Sequence, residues 1–233
     1  MRILGLQNLT LLDYPGKTAC TVFTGGCNLR CPFCHNASLV LDKYDTLYTE
    51  QQVFDLLEKR RGKISGIAIT GGEPLMQPDI ADFMAQLHDR GVKVKLDTNG
   101  TFPGKLQQLI EAGLVDYVAM DIKNCPARYA QTCGLPESAS EGLLANIQKS
   151  IDLIRGSGLE HEFRTTVVRE LHSPEDIQAM ARWMQGDDPY FLQCFTDSGD
   201  ILQPGLSAWS REEMQKLADL ARPWLPKVQL RGL

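Results

Sequence analysis

The sequence lacks the features that mark membrane-spanning, secreted and nucleic-acid-binding proteins. No apolar run approaches the ~20 residues that a membrane-spanning helix requires. The amino-terminal segment MRILGLQNLTLLDYPGK has no long apolar core of the signal-peptide type, so we expect a cytoplasmic protein that contacts no membrane. The net charge is −5 and the densest basic group is Lys59, Arg60, Arg61 and Lys63, so DNA and RNA are not expected as partners.

Cysteine is present in an odd number, seven, which does not suit a framework of disulfide bonds in an intracellular chain. Cys20 and Cys194 lie within apolar segments and are predicted to be small buried residues. Three cysteines, Cys27, Cys31 and Cys34, share the compact spacing C-x3-C-x2-C. The other four are scattered: Cys20, Cys125, Cys133 and Cys194. The compact group therefore indicates thiolate or metal chemistry.

Short apolar segments alternate with amphipathic helical segments, without an internal repeat or a linker, so we expect a single domain over residues 1–233. Because parallel neighbours need crossover connections, this alternation predicts an α/β fold with a parallel sheet. Six units are fewer than the eight of a closed barrel, so a partial (β/α)6 barrel and a curved doubly wound sheet both fit. The predicted strands are 18–23, 64–70, 92–98, 116–122, 161–168 and 190–195.

Helix starts and one long helix are also visible in the sequence. A residue with a capping hydroxyl is followed three positions later by a side chain that can bond back to its backbone. This pattern occurs three times, at Thr49 with Gln52, Ser173 with Asp176, and Ser210 with Glu213. Apolar residues at helical spacing predict a further helix over 138–155.

Polar residues follow the predicted strands repeatedly. Each one alone is explained equally well by a turn or a helix cap, but together they suggest a ligand lying across the carboxyl ends of the strands. A glycine pair lets backbone approach a ligand closely. The residues concerned are Gly71, Gly72 and Glu73, then Asp97, Thr98 and Asn99, then Asp121 and Lys123, and finally Arg164.

Two interpretations of the three cysteines are open. Zinc could take His35 as its fourth ligand, although adjacent residues such as Cys34 and His35 rarely bind one metal ion. Alternatively, three thiolates hold a four-iron cluster and leave one iron free to bind a small molecule.

The motifs TGGCNLRCPFCHN, ITGGEPLMQ, DTNG and MDIK, in this order, resemble the radical S-adenosylmethionine (SAM) superfamily, whose usual core is a partial (β/α)6 barrel. Within it they are similar to the activating enzymes of glycyl-radical enzymes. The beginning GLQNLTLLDYPGKTACTVFTGGCNLRCPFCHN looks most like the activating proteins of anaerobic ribonucleoside-triphosphate reductase. Pyruvate formate-lyase activating enzymes usually begin with a glycine-rich stretch that reads roughly DGPG, where this chain has LDYPG.

The resemblance implies a role for each matching residue. Cys27, Cys31 and Cys34 would hold a 4Fe-4S cluster whose open iron binds SAM. The SAM-binding residues would be Phe33 near the adenine, Gly71, Gly72 and Glu73 at the amine, Asp97, Thr98 and Asn99 at the ribose, and Lys123 or Arg164 at the carboxylate. Asp97 and Asp121 would either share a cation or proton or be two independently solvated carboxylates.

The resemblance also implies the reaction and its partners. SAM would be cleaved reductively to methionine and a 5′-deoxyadenosyl radical that takes a hydrogen atom from a glycine of the partner enzyme. Because no cysteine follows Cys194, no carboxyl-terminal auxiliary cluster is expected, and a flavodoxin or ferredoxin would supply the electron. The alternatives are an activase of a formate-lyase-type enzyme, a radical SAM enzyme for a small molecule or peptide, and a zinc-binding module without catalysis.

Overall fold

The computed structural model describes residues 1–41 and 47–233. Within these residues the strands follow one another in a single sheet in the order in which they occur along the chain. The strands β1 and β2 pair antiparallel, whereas the pairs β2–β3, β3–β4, β6–β7 and β7–β8 are parallel. The strands are β1 Ile3–Thr10, β2 Ala19–Thr24, β3 Gly66–Gly71, β4 Lys93–Thr98, β5 Tyr117–Asp121, β6 Glu160–Val167, β7 Tyr190–Cys194 and β8 Val228–Arg231.

The predicted α/β class with parallel strands is confirmed, and the six predicted strands correspond to β2 through β7. The strands at the two ends of the sheet, β1 and β8, were not predicted. In β1 the side chains of Gln7, Asn8 and Leu9 are all exposed. The burial pattern of β1 therefore does not alternate as it does in a half-buried strand. β8 has only four residues, which is too short for a periodic pattern.

The three helix starts predicted from capping residues are confirmed. The hydroxyl of Thr49 accepts a hydrogen bond from the backbone of Gln52, and both halves of the capping box are formed there and at Ser173 and Ser210. The helices are α1 Ala37–Val40, α2 Glu50–Lys59, α3 Ile80–His88, α4 Pro103–Glu111, α5 Tyr129–Thr132, α6 Ser140–Gly156, α7 Pro174–Trp183 and α8 Arg211–Ala221. The predicted helix 138–155 is therefore α6, within two residues at each end.

The chain divides into two compact units. The first consists of Met1–Asn28, Ser38–Ala119 and Lys149–Glu160, and the second of Leu29–Ala37, Met120–Gln148 and His161–Leu233. In the described part of the chain, no helix combines the length and the apolar character needed to cross a lipid bilayer.

In the first unit, the LDYPGK segment contributes a buried aromatic residue to the core. The ring of Tyr14 contacts that of Tyr117 with 5.9 Å between centroids, and Tyr14 is 2% exposed. A Cβ on Gly66 would lie 2.8 Å from the Tyr14 ring, so β3 has a glycine where the aromatic ring packs. The adjacent Asp13 carboxylate accepts a hydrogen bond of 2.6 Å from the Thr21 hydroxyl. This part of the amino-terminal motif therefore has a structural role.

The second unit has its own apolar core. Phe163 of β6 and Tyr190 of β7 contact each other and are completely buried. Met180 of α7 and Met214 of α8 are also completely buried. Burying an apolar side chain of this size stabilises a fold by roughly 1.5–3 kcal/mol.

Candidate active site

In the first unit, the glycine pair after β3 packs on the backbone that precedes Cys27. The Gly72 N–H donates to the Thr24 carbonyl at 2.9 Å. A Cβ on Gly72 would lie 1.8 Å from the Gly26 carbonyl oxygen, closer than any contact allows. Gly71 has a φ of 117°, and its Cβ would lie 2.3 Å from the Thr24 nitrogen. Only glycine fits at both positions, so the pair brings the end of β3 against the cysteine-bearing segment.

Glu73 connects the ends of β3 and β4 through a completely buried carboxylate. Its oxygens accept hydrogen bonds from the Thr98 hydroxyl at 2.8 Å, the Asn99 N–H at 2.7 Å and the Leu75 N–H at 3.1 Å. A buried carboxylate is stable only when donors of this kind replace water. The structure thus brings together Glu73, Thr98 and Asn99, three of the residues predicted to bind SAM.

Asn99 also reaches a predicted cluster ligand. Its Nδ2 donates to the Cys27 Sγ at 3.8 Å and to the Asn28 Oδ1 at 3.0 Å. Its Oδ1 accepts from the Thr101 hydroxyl at 2.6 Å, which fixes the orientation of the amide. A hydrogen bond to a ligating sulfur is one of the ways in which proteins adjust an iron–sulfur cluster. The sequence assigned Asn99 to the ribose and did not predict this contact.

Asp97 has a cationic partner that the sequence did not predict. Lys95, two residues earlier on β4, donates to the Asp97 carboxylate and is only 1% exposed. The Lys95 Nζ also lies 5.9 Å from the centre of the Tyr117 ring. The signal in the sequence was a lysine in the middle of the apolar segment VKVKLDT, where a buried charge needs a partner.

In the second unit, the segment 29–37 carries Cys31, Phe33 and Cys34 and is held by backbone hydrogen bonds. The Cys34 N–H donates to the Cys31 carbonyl at 3.0 Å, which forms a tight turn. Three more backbone bonds attach the segment to the rest of the unit: Arg30 N–H to Cys133 carbonyl at 2.9 Å, Gln203 N–H to Pro32 carbonyl at 3.0 Å, and Ala37 N–H to Asp200 carbonyl at 3.2 Å.

The two cysteines of this segment have different surroundings. The thiol of Cys133 hydrogen-bonds to Cys31 and lowers the pKa of Cys31; burial opposes this effect and the charge of Lys123 adds to it. Burial raises the pKa of Cys34. Iron binds the thiolate form of cysteine. The sequence identified Cys133 only as a scattered cysteine.

Lys123 and Arg164 both pair with Asp121. The Lys123 Nζ lies 3.0 Å from one carboxylate oxygen and the Arg164 Nε lies 2.9 Å from the other. Burial disfavours the charged form of Asp121, but Arg164 and Lys123 outweigh it and hold the pKa of Asp121 below its usual range. Arg164 also lies 3.9 Å from the Glu162 carboxylate, so its guanidinium is shared between two acidic residues. The geometry does not favour one of the two as the residue that would contact the SAM carboxylate, since both pair with Asp121.

His172 is a buried residue that the sequence did not predict. It is completely buried, and its Nδ1 accepts from the Val168 N–H at 3.1 Å. Its Nε2 lies 2.8 Å from the Lys123 carbonyl, and because a carbonyl only accepts, Nε2 carries the proton. The ring of Phe33 packs edge-on against that of His172, with 6.2 Å between centroids. Burial lowers the pKa of His172, which favours this neutral form. His172 therefore positions both Phe33 and the backbone of Lys123.

Substitutions of His172 should separate its two hydrogen bonds. An asparagine is too short to donate to the Lys123 carbonyl, whereas a glutamine reaches it. We therefore expect His172→Asn to weaken SAM binding by about tenfold, the equivalent of roughly one lost hydrogen bond, and His172→Gln to weaken it less. Calorimetric titration of SAM into cluster-loaded protein measures this difference. His161→Asn, which removes the contact of His161 with Asp188, is the matched control on β6. Equal affinities in the two His172 variants would contradict the positioning role.

The remaining sequence predictions concern the metal. The His35 ring lies against Phe195, with 5.5 Å between centroids. Among the residues described, no three His, Cys, Asp or Glu side chains are grouped so as to hold a metal ion. The assignment of Cys27, Cys31 and Cys34 as ligands therefore rests on their spacing. As a donor set, three thiols fit a 4Fe-4S cluster with one open iron, and the hydrogen bond from Asn99 to the Cys27 sulfur suits it.

Known proteins match this chain over most of its length. A family model described as "Radical SAM superfamily" matches residues 21–184. A "Putative glycyl-radical enzyme activating enzyme" of Methanocaldococcus jannaschii is 32% identical over 98% of this chain and 95% of that protein. The pyruvate formate-lyase-activating enzyme of Listeria monocytogenes is 32% identical over 52% of this chain and 53% of its own length.

The fold agrees with these matches. The structure of a radical SAM methyltransferase from Sphaerobacter thermophilus superposes with a TM-score of 0.72 at 17% identity, covering 96% of this chain and 68% of that one. Enzymes of the superfamily use a 4Fe-4S cluster and SAM, which favours the iron–sulfur interpretation of the three cysteines over zinc. This chain belongs to the radical SAM superfamily and, within it, to the activating enzymes of glycyl-radical enzymes.

Proposed function

We propose that this chain generates the glycyl radical of an anaerobic ribonucleoside-triphosphate reductase. The observation that carries the proposal is the amino-terminal sequence GLQNLTLLDYPGK, which resembles the activating proteins of that reductase. The extent of the matches also supports it, since the formate-lyase activase of Listeria aligns with only about half of the chain.

In this proposal, Cys27, Cys31 and Cys34 hold the cluster, which supplies one electron for the cleavage of SAM. Residues of the first unit bind the amine and ribose of SAM: Gly71, Gly72, Glu73, Asp97, Thr98 and Asn99. The Glu73 carboxylate already accepts hydrogen bonds from three protein donors. Its main role is therefore to hold together the ends of β3 and β4, where the amine of SAM binds.

Residues of the second unit have complementary tasks. Phe33 lies near the adenine, and Lys123 or Arg164, which both pair with Asp121, contacts the SAM carboxylate. A flavodoxin or ferredoxin delivers the electron. The enzyme acts in the cytoplasm as a single domain over residues 1–233, and neither a nucleic acid nor a membrane is a partner.

The direct test is the radical on the partner enzyme. Reduced, cluster-loaded protein is mixed anaerobically with SAM and an anaerobic ribonucleotide reductase, and the expected result is a glycyl-radical doublet in the EPR spectrum. The same mixture without SAM and a reductase with its radical glycine replaced are the controls. SAM cleavage without a doublet would contradict the proposed substrate.

A formate-lyase-type enzyme is the second candidate substrate, since a third of the aligned residues are shared with the Listeria activase. A parallel reaction with pyruvate formate-lyase separates the two. The proposal requires a doublet on the reductase and none, or a much slower one, on the lyase, and the reverse result would assign the chain to the second candidate.

A further inference from the structure

Lys95 is a buried charged residue to which the proposed function gives no role. It lies in the middle of β4, in the first unit. Taking an ammonium group out of water is costly, and a buried ion pair is often no more stabilising than well-packed apolar side chains of similar volume. The stability of the fold therefore does not explain why a lysine occupies this position.

Three neighbours determine where the Lys95 ammonium group points. Alternate residues of a strand share one face, so Asp97 follows Lys95 on the same face of β4, and the Lys95 Nζ donates to the Asp97 carboxylate. The Nζ also lies 5.9 Å from the centre of the Tyr117 ring on β5. Ala68, the register partner of Lys95 on β3, has no polar side chain. The Lys95 side chain is therefore directed along β4 towards the carboxyl end of the strand.

The two members of this ion pair are not equally accessible. Only 2% of the Lys95 side chain is exposed, compared with 14% of the Asp97 side chain. A carboxylate has two oxygens that together accept several hydrogen bonds, so Asp97 can bind both the ammonium group and a hydroxyl of a ligand. Lys95 is too deeply buried to contact a ligand itself, so any effect that it has on a ligand passes through Asp97.

We propose that Lys95 is a positioning residue for ribose recognition: it holds the Asp97 carboxylate in the orientation that accepts a hydrogen bond from a ribose hydroxyl of SAM. The inference rests on the assignment of Asp97 to the ribose under the proposed function. A group that is held in its bound orientation before the ligand arrives loses less conformational freedom on binding. A lysine that only filled the interior beside β4 would not affect the recognition of a ribose hydroxyl.

The test compares ligands that differ by a single ribose hydroxyl. Cluster-loaded protein is titrated calorimetrically, in the presence of methionine, with 5′-deoxyadenosine and with its 2′-deoxy and 3′-deoxy analogues. In the wild type we expect removal of the hydroxyl that Asp97 binds to weaken binding about tenfold or more, because a hydrogen bond to a charged group is lost. In Lys95→Met, which keeps most of the side-chain volume but no charge, the same removal should weaken binding about threefold or less.

Three further variants control this comparison. Lys93→Met is the matched control, because Lys93 lies on the same strand but is exposed and pairs with Asp116 at 2.7 Å; it should distinguish the analogues as the wild type does. The double variant Lys95→Met/Asp97→Ala removes both charges and should distinguish them no better than Lys95→Met. Lys95→Gln, which is uncharged and one atom shorter than lysine, has the same expected result as Lys95→Met and replaces it if the methionine variant does not fold.

Each ratio of affinities compares two ligands on one protein sample, so a general loss of stability does not change it. Discrimination as strong as that of the wild type in Lys95→Met and Lys95→Gln would overturn the inference, as would an equal loss in Lys93→Met. A wild type that does not distinguish the analogues, or a double variant that still does, would overturn the ribose role of Asp97 and the inference with it. Failure of the proposed reaction is detected separately, as a missing glycyl-radical doublet.

Discussion

Cys31→Ala is expected to abolish the binding of a four-iron cluster, whereas Cys20→Ala is expected to retain it. Cys31 is the central cysteine of C-x3-C-x2-C, and its surroundings lower the pKa of its thiol. Cys20 lies in β2, completely buried and outside the C-x3-C-x2-C group, so it is not expected to bind iron. Two cysteine ligands do not hold a cluster that needs three.

The measurement is iron and sulfide per chain after anaerobic reconstitution, together with the visible absorption of the cluster. Thermal unfolding of both cluster-free variants checks that the chain still folds. Loss of iron in Cys20→Ala with retention in Cys31→Ala would overturn the ligand assignment.

Gly72→Ala is expected to lower the free energy of unfolding strongly, and by more than Gly71→Ala. The new Cβ would lie 1.8 Å from the Gly26 carbonyl oxygen, and both partners are backbone, so no side chain can rotate away. Overpacking of this severity costs about 3 kcal/mol or more in the free energy of unfolding. The backbone before Cys27 would also move, so we expect a lower iron content.

Urea unfolding of the cluster-free protein measures the first effect and iron analysis the second. Gly142→Ala is the matched control, because a Cβ there meets nothing within 4 Å and the residue lies in α6. An alanine in a helix is favoured over glycine by roughly 1 kcal/mol, so the control should be neutral or stabilising. A Gly72→Ala protein as stable as the wild type would show that the strand end is not packed on Gly26.

Much of the fold was predictable because local chemistry determines it. The hydroxyls of Thr49, Ser173 and Ser210 satisfy backbone N–H groups within the same turn, so the sequence alone marks these helix starts. The six central strands are apolar runs flanked by turn residues. β1 was missed because Gln7 and Asn8 interrupt it, and its strand state comes from pairing with β2 rather than from its own composition.

The site was predictable where residues adjoin in sequence or share the end of a strand. The contacts of Glu73 with Thr98 and Asn99 follow from parallel strands that end at one edge. Lys95, His172 and Cys133 were not predicted, since each owes its role to a buried partner that no local pattern reveals. The lysine inside the apolar segment VKVKLDT shows that a partner is required but does not identify it, and the sequences around His172 and Cys133 carry no such signal.

The backbone bonds that hold residues 29–37 also bear on how this protein family can evolve. Arg30 and Ala37 are held through their backbone N–H groups and Pro32 through its carbonyl. Substitutions preserve these backbone groups, except that a proline at position 30 or 37 would remove the donor. Selection on this segment is then expected to act on the cysteines, on Phe33 and on the backbone path, while the other residues can vary. Homologues with dissimilar intervening residues are expected to present their thiolates in the same arrangement, so divergence here need not signal a change of cofactor.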